Sequence, residues 1–141
     1  MIQMRIRILI IFTILLITGM ICPGSSIAGS HVSPDWLSSV QGSYNGVLYS
    51  TGEYLRAKTI FTLLPGGGLS GEYYFQEAEE KVHGTLFDCS VLAHLKIICN
   101  WRDRYGTGEL VLTFDESVKN FEGYWSVSGD SQRSLWNGAR E

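Results

Sequence analysis

Short runs of alternating apolar and polar residues extend from about residue 40 to the end of this chain, and they constrain its fold more than any other feature. The runs are rich in Tyr, Phe, Val, Ile, Leu and Thr, and they recur roughly every 10 to 15 residues. Alternation with a period of two places successive side chains on opposite faces of a strand. Short strands at such spacing are typical of an antiparallel β-sandwich or β-barrel.

The alternating runs predict eight strands joined by short turns. They lie near residues 40–49, 55–64, 69–75, 81–90, 95–102, 108–114, 120–127 and 133–140. Connections this short permit only antiparallel pairing of neighbouring strands. We therefore expect an all-β fold, an eight-stranded antiparallel up-and-down β-barrel, because closure removes the exposed edges of the sheet. A two-sheet β-sandwich is the alternative.

The N-terminus has the features of a secretory signal peptide. Arg5 and Arg7 precede the uncharged apolar run 8–21, which is shorter than the about 20 residues of a membrane-spanning helix but matches the apolar region of a signal peptide. Residues 26–28 (Ser-Ile-Ala) fit the small-x-small rule for cleavage. We expect a helical signal peptide over 1–28, cut after Ala28, and a periplasmic or secreted product. An uncleaved membrane anchor is the alternative.

Cleavage after Ala28 would leave a flexible leader over 29–39 and a single barrel domain over 40–141. The whole chain has 11 Lys and Arg and 14 Asp and Glu. The signal peptide removes two arginines and no acid, so 9 basic and 14 acidic residues remain and the net charge is −5. An acidic domain argues against nucleic acid or an anionic membrane surface as a partner, because both bind basic patches. No stable membrane anchor is expected after cleavage.

The cysteine count supports export. Cleavage removes Cys22 and leaves Cys89 and Cys99, an even pair in an oxidising compartment. A metal-binding pair is less suitable, because further ligands are missing nearby in the sequence. We expect a disulfide between Cys89 and Cys99, which closes a loop of roughly ten residues.

The fourth and fifth strands should form a hairpin centred on His94. The pairs that this register places opposite each other on one buried face are Cys89 with Cys99, Phe87 with Trp101, and Val91 with Ile97. The opposite face then carries mostly polar residues, as expected for a sheet with one solvated side.

No pattern of catalytic or metal-binding residues is evident in the sequence. The three histidines are scattered, at positions 31, 83 and 94, without a second ligand at metal-binding spacing. The Gly-x-Ser-x-Gly motif of many hydrolases is not present. Asp103 lies between Arg102 and Arg104, which predicts local ion pairs. We expect no metal, no cofactor and no enzymatic activity, and a hydrolase ranks last among the functions considered.

Aromatic residues are the most informative side chains of the domain, which has four Trp, seven Tyr and, once Phe12 is removed, five Phe. Two interpretations stay open. The rings either fill the inside of a solid barrel, where each buries roughly 150–250 Å², or several of them line a pocket at one barrel mouth. The tryptophans that could line such a pocket are Trp101, Trp125 and Trp136.

Several short segments resemble those of small exported bacterial β-barrel proteins with avidin-like and lipocalin-like architecture. The segments are 71–75 (Gly-Glu-Tyr-Tyr-Phe), 82–86 (Val-His-Gly-Thr-Leu), 100–101 (Asn-Trp), 121–125 (Phe-Glu-Gly-Tyr-Trp) and 136–140 (Trp-Asn-Gly-Ala-Arg). In avidins a Gly-x-Tyr, a His-Gly-Thr and an Asn-Trp strand follow one another in this order. The resemblance implies that Tyr73 and Trp101 lie near the ligand pocket. The chain departs from the avidin pattern at Cys99, which argues against biotin as the ligand.

These features predict a non-enzymatic binding protein that holds a small apolar ligand in the mouth of the barrel. The alternative is a cell-envelope protein-interaction or inhibitor module that binds an envelope or extracellular protein through surface loops such as 103–108. Residues 70–74 (Ser-Gly-Glu-Tyr-Tyr) resemble the Ser-Gly-x-x-Tyr motif of periplasmic lysozyme inhibitors, which would fit this second role.

Overall fold

The computed structural model describes residues 33–141 as one short helix followed by eight strands. The elements are α1 (Asp35–Ser39), β1 (Gly42–Ser50), β2 (Glu53–Leu63), β3 (Leu69–Glu77), β4 (Glu80–Ala93), β5 (Lys96–Asp103), β6 (Gly106–Phe114), β7 (Asn120–Val127) and β8 (Ser134–Arg140). All eight predicted strands are confirmed, and their ends agree to within three residues. The predicted signal peptide over 1–28 and Cys22 lie outside the described residues. Between residues 33 and 141, no helix has the length and apolar character needed to cross a membrane.

The eight strands form a closed antiparallel barrel in which each strand pairs with its neighbours in sequence. β8 returns to β1, with Tyr44 opposite Arg140 and Leu48 opposite Trp136. This pairing confirms the predicted up-and-down barrel and excludes the sandwich. Closure satisfies the backbone N–H and C=O groups that an open sheet would leave unpaired at its two edges.

The helix α1 closes one end of the barrel. Leu37 is 6% exposed and Val40 is fully buried, and their spacing of three residues places both on one side of a helical turn. The flexible leader predicted for 29–39 is therefore wrong for residues 35–39. The prediction missed this element because a single helical turn is too short to show periodicity in a sequence.

Below the helix, four aromatic rings fill this closed end. The rings belong to Tyr44, Phe61, Phe114 and Phe121, and their centroids lie 5.4 to 6.4 Å apart in mostly edge-to-face pairs. The Tyr44 hydroxyl lies 3.0 Å from the Val40 carbonyl oxygen and 3.1 Å from that of Val118. The Arg140 guanidinium donates a hydrogen bond to the same hydroxyl. The closed end is thus solidly packed, and its buried hydroxyl group is hydrogen-bonded.

The β4–β5 hairpin carries the predicted disulfide, which joins Cys89 and Cys99. Near the turn the predicted register is also confirmed, since Val91 lies opposite Ile97. Beyond the disulfide the strands shift by one residue, at an irregularity between Phe87 and Ser90 where Asp88 has a φ of 49°.

The shift makes one predicted pair wrong. Leu86, and not Phe87, lies opposite Trp101. Leu86 is 1% exposed in the barrel interior, whereas Phe87 lies opposite Asn100. A shift of one residue exchanges the two faces of a strand, because side chains alternate.

Candidate ligand pocket

A cavity of about 240 Å³ opens at the end of the barrel opposite α1. This open end is formed by the β1–β2, β3–β4, β5–β6 and β7–β8 hairpins. The pocket lining consists of Leu48, Ser50, Thr51, Tyr73, Phe75, Glu77, Trp101, Asp103, Tyr105, Trp125, Val127 and Trp136. Half of these residues are aromatic, so the wall is mainly apolar.

The structure brings all four candidate pocket residues of the sequence analysis into this one cavity. Tyr73, Trp101 and Trp136 are at most 4% exposed, and Trp125 is half-buried nearer the mouth. Their rings meet edge to face, with centroids 4.8 Å apart for Tyr73 and Trp136 and 5.5 Å apart for Trp101 and Trp125. Trp36 lies elsewhere, on α1, where its ring contacts that of His94.

The N–H groups of the three pocket indoles are all used within the protein. The pairs are Trp101 with the Ser126 carbonyl oxygen at 3.0 Å, Trp125 with the Tyr49 carbonyl oxygen at 3.1 Å, and Trp136 with the Thr59 hydroxyl oxygen at 3.1 Å. A ligand therefore meets the carbon faces and edges of the indoles and not their hydrogen-bond donors. These bonds also fix the orientation of each ring before any ligand binds.

Two of these rings occupy space that is left by a glycine on the adjacent strand. Gly84 lies directly opposite Tyr73, and Gly108 directly opposite Trp101. A Cβ atom on Gly84 would come within 2.1 Å of the Tyr73 ring, and one on Gly108 within 2.7 Å of the Trp101 indole nitrogen. No local sequence pattern marks these glycines, because cross-strand partners can be identified only once the register is known.

The polar side of the pocket is built around Asp103, at the end of β5. One of its carboxylate oxygens accepts a hydrogen bond from the Tyr73 hydroxyl at 2.8 Å, and the other accepts one from the Tyr105 backbone N–H at 2.8 Å. Burial, together with the hydrogen bond to Asp103, raises the pKa of Tyr73 well above its usual value. Tyr73 is therefore held protonated, as a hydrogen-bond donor.

The ion pairs predicted for Asp103 are not present. Across residues 33–141, no cationic side chain lies within ion-pair distance of Asp103. Arg104 turns instead to the β3–β4 loop, where it lies 2.6 Å from Glu80 and 3.3 Å from Glu77. Asp103 points inward because it shares the face of Trp101, two residues earlier on the same strand.

Tyr105 forms part of the rim beside this ion pair. Its hydroxyl group donates a hydrogen bond to Glu77, and the Arg104 guanidinium lies over its ring at 4.8 Å. The ring is 59% exposed. The rim on this side therefore combines a charged network with an exposed aromatic surface.

The described residues that line the pocket are mainly apolar and aromatic, with the two carboxylates Glu77 and Asp103 among them. Among the described residues that line it, none is histidine or cysteine. Within the described part of the chain, no three His, Cys, Asp or Glu side chains are placed to hold a metal ion. No protein-family model and no curated protein matches this chain.

Proposed function

We propose that this protein is exported and binds a small apolar ligand in the open end of its barrel, without catalysing a reaction. The observation that carries the proposal is the convergence of Tyr73, Trp101, Trp125 and Trp136 on one cavity. Burial of apolar ligand surface against such rings supplies most of the binding free energy in small-molecule sites.

The size of the cavity limits the ligand. Its volume of about 240 Å³ lies just below the roughly 300–1,000 Å³ of sites for drug-sized molecules. One aromatic ring with a short substituent is of suitable size, whereas a long acyl chain is not. The closed end gives no room for extension, because aromatic rings fill it below α1.

Export is supported by the N-terminal sequence and by the disulfide. Residues 1–28 have the pattern of a signal peptide, and the bond between Cys89 and Cys99 suits an oxidising compartment, such as the periplasm or the extracellular medium.

An interaction with an envelope protein through the β5–β6 loop is the alternative. Tyr105 in this loop is 59% exposed, and aromatic residues are enriched in protein interfaces. The 70–74 segment offers less support for an inhibitor role. It lies within β3, where Gly71 and Tyr73 are buried, so only Glu72 is exposed, with Ser70 and Tyr74 half-buried.

The proposal is tested by titrating the protein with 2-phenylethanol, a neutral aromatic probe of suitable size, in a calorimeter. We expect saturable binding with one site per barrel. The variant Ser50→Phe places a ring in the mouth of the pocket, because Ser50 lines it, and should abolish binding. Thr62→Phe adds the same ring at an exposed position of β2 and should bind as the unaltered protein does.

Native mass spectrometry of protein purified from its own host gives an independent test. A retained ligand appears as an added mass that the Ser50→Phe variant lacks. Equal binding of 2-phenylethanol to both phenylalanine variants, with no retained mass, would rule out the pocket as a ligand site and favour the interaction role.

A further inference from the structure

The charges of the pocket are of one sign. Its lining includes two carboxylates, Asp103 and Glu77, and among the described residues that line it none is Lys, Arg or His. Glu77 is partly neutralised, because Arg104 lies 3.3 Å away. Among residues 33–141, the Asp103 carboxylate has only the Tyr73 hydroxyl and the Tyr105 backbone N–H as its donors.

Asp103 therefore retains capacity to accept hydrogen bonds. A carboxylate has about four lone-pair positions on its two oxygens, and two are occupied here. The residue lines the cavity and is half-buried, so a ligand group above Trp101 could reach the remaining positions. A carboxylate without a cationic partner beside apolar rings is the complement of a cation.

The aromatic wall favours the same charge. Trp101, Trp125 and Trp136 present their rings to the cavity, and the face of an indole ring attracts a cation more strongly than the faces of other aromatic side chains. Because their N–H groups are bonded to the protein, the rings offer no hydrogen-bond donor to an anion. An anionic ligand would meet two carboxylates, and among the described residues that line the pocket none is cationic.

The charge distribution over the whole domain agrees with the pocket. The loops of the open end (50–53, 77–80, 103–106 and 127–134) hold six acidic and two basic residues. The rest of the described chain holds eight acidic and seven basic residues. Nearly all of the net negative charge therefore surrounds the mouth, where it attracts cations and repels anions.

We propose that the ligand is a small organic ammonium ion, with an apolar body among Trp101, Trp125 and Trp136 and its charged head on Asp103. This inference rests on the proposed function and adds the charge class of the ligand. The Tyr73 hydroxyl holds the carboxylate in place, since it donates a hydrogen bond to Asp103.

Three probes of nearly equal size and different charge test the inference at neutral pH. They are 2-phenylethylammonium, neutral 2-phenylethanol and anionic phenylacetate. We expect the ammonium ion to bind about 10- to 100-fold more tightly than the alcohol, as is typical of a charge-assisted hydrogen bond, and phenylacetate to bind weakest. Added salt should weaken binding of the ammonium ion and leave that of the alcohol unchanged.

The variant Asp103→Asn removes the charge and keeps an oxygen that can accept from Tyr73. We expect it to lower the affinity for 2-phenylethylammonium about 10- to 100-fold and the affinity for 2-phenylethanol by much less, so that the preference for the ammonium ion is lost. Asp130→Asn makes the same charge change in the β7–β8 loop, outside the pocket lining, and should alter ammonium binding by less than about threefold.

The possible outcomes separate this inference from the proposed function. Equal binding of the ammonium ion and the alcohol to the unaltered protein would overturn the cation inference and leave the apolar pocket standing. Tighter binding of phenylacetate would overturn it as well. Binding of none of the three probes would overturn the proposed function itself. If Asp103→Asn fails to fold, the order of affinities and the salt dependence of the unaltered protein decide.

Discussion

At the scale of single residues, the width of the pocket depends on pairing a large ring with a glycine across two strands. Tyr73 lies opposite Gly84, and Trp101 opposite Gly108. Each ring lies over the backbone of the glycine opposite it. A Cβ atom on that glycine would lie closer to the ring than van der Waals contact allows. The rings are thus held against the wall, and the axis of the barrel stays open.

Replacing Gly84 by alanine should destabilise the fold. The new Cβ would lie 2.1 Å from the Tyr73 ring, so the ring must shift away from β4. We expect the free energy of unfolding in urea to fall by about 1–3 kcal/mol, the usual cost of overpacking a core.

The matched control is Gly68→Ala, where the nearest atom, of Leu64, lies at an ordinary contact distance of 3.7 Å. Its stability should change by no more than about 0.5 kcal/mol. If Gly84→Ala proved as stable as Gly68→Ala, the close approach of the Tyr73 ring to Gly84 would not matter for the stability of the fold.

At the scale of elements, the β4–β5 hairpin combines a covalent link with a change of register. The disulfide lies beside the irregularity at Asp88. The bulge directs Leu86 and Trp101 into the barrel while Val91 still faces Ile97 near the turn. A bulge of this kind increases the local twist that a small closed barrel requires.

Loss of the disulfide should lower the stability of the whole barrel. The bond spans 10 residues, and a loop of this length corresponds to about 2–3 kcal/mol in the chain-entropy model. We expect this decrease in the free energy of unfolding both for the reduced protein and for the double variant Cys89→Ala, Cys99→Ala. Reductant should have no effect on the double variant. An unchanged stability after verified reduction would show that the bond contributes nothing to the fold.

At the scale of the whole molecule, the barrel has one filled end and one open end, and a buried tyrosine hydroxyl lies at each. Tyr44 lies at the closed end and Tyr73 in the pocket. Burial is the main reason that the pKa of each is raised. Both residues therefore favour the protonated form in the folded protein.

The stability of the protein should consequently fall in alkaline solution. A group with a raised pKa in the folded state stabilises the fold below its unfolded pKa, here 10.0, and this contribution is lost as the pH rises above that value. Each such tyrosine adds a slope of up to about 1.4 kcal/mol per pH unit.

Chemical unfolding at a series of pH values from neutral into the alkaline range measures this slope. Tyr73→Phe should reduce it, whereas Tyr54→Phe, at a residue that is 65% exposed, is the matched control. If the free energy of unfolding fell equally steeply with pH in both variants, the titration of Tyr73 would not contribute to the alkaline loss of stability.

The sequence by itself determined the number of strands, their approximate ends and the disulfide. Strand alternation and turn residues are local signals, and they also give the order of pairing when every connection is short. Only two cysteines follow residue 28, so their partnership needed no knowledge of the fold. The gathering of Tyr73, Trp101, Trp125 and Trp136 at one site was anticipated only as one of two interpretations of the aromatic content.

Only the tertiary structure decided which end of the barrel is open and what the pocket presents. A single bulge places Leu86, and not Phe87, in the interior, and no local pattern marks a shift of one residue. Asp103 faces the cavity and not its neighbouring arginines because β5 fixes its direction, and the role of Gly84 depends on a partner strand. These features arise from contacts between residues distant in sequence, which form only when the barrel closes.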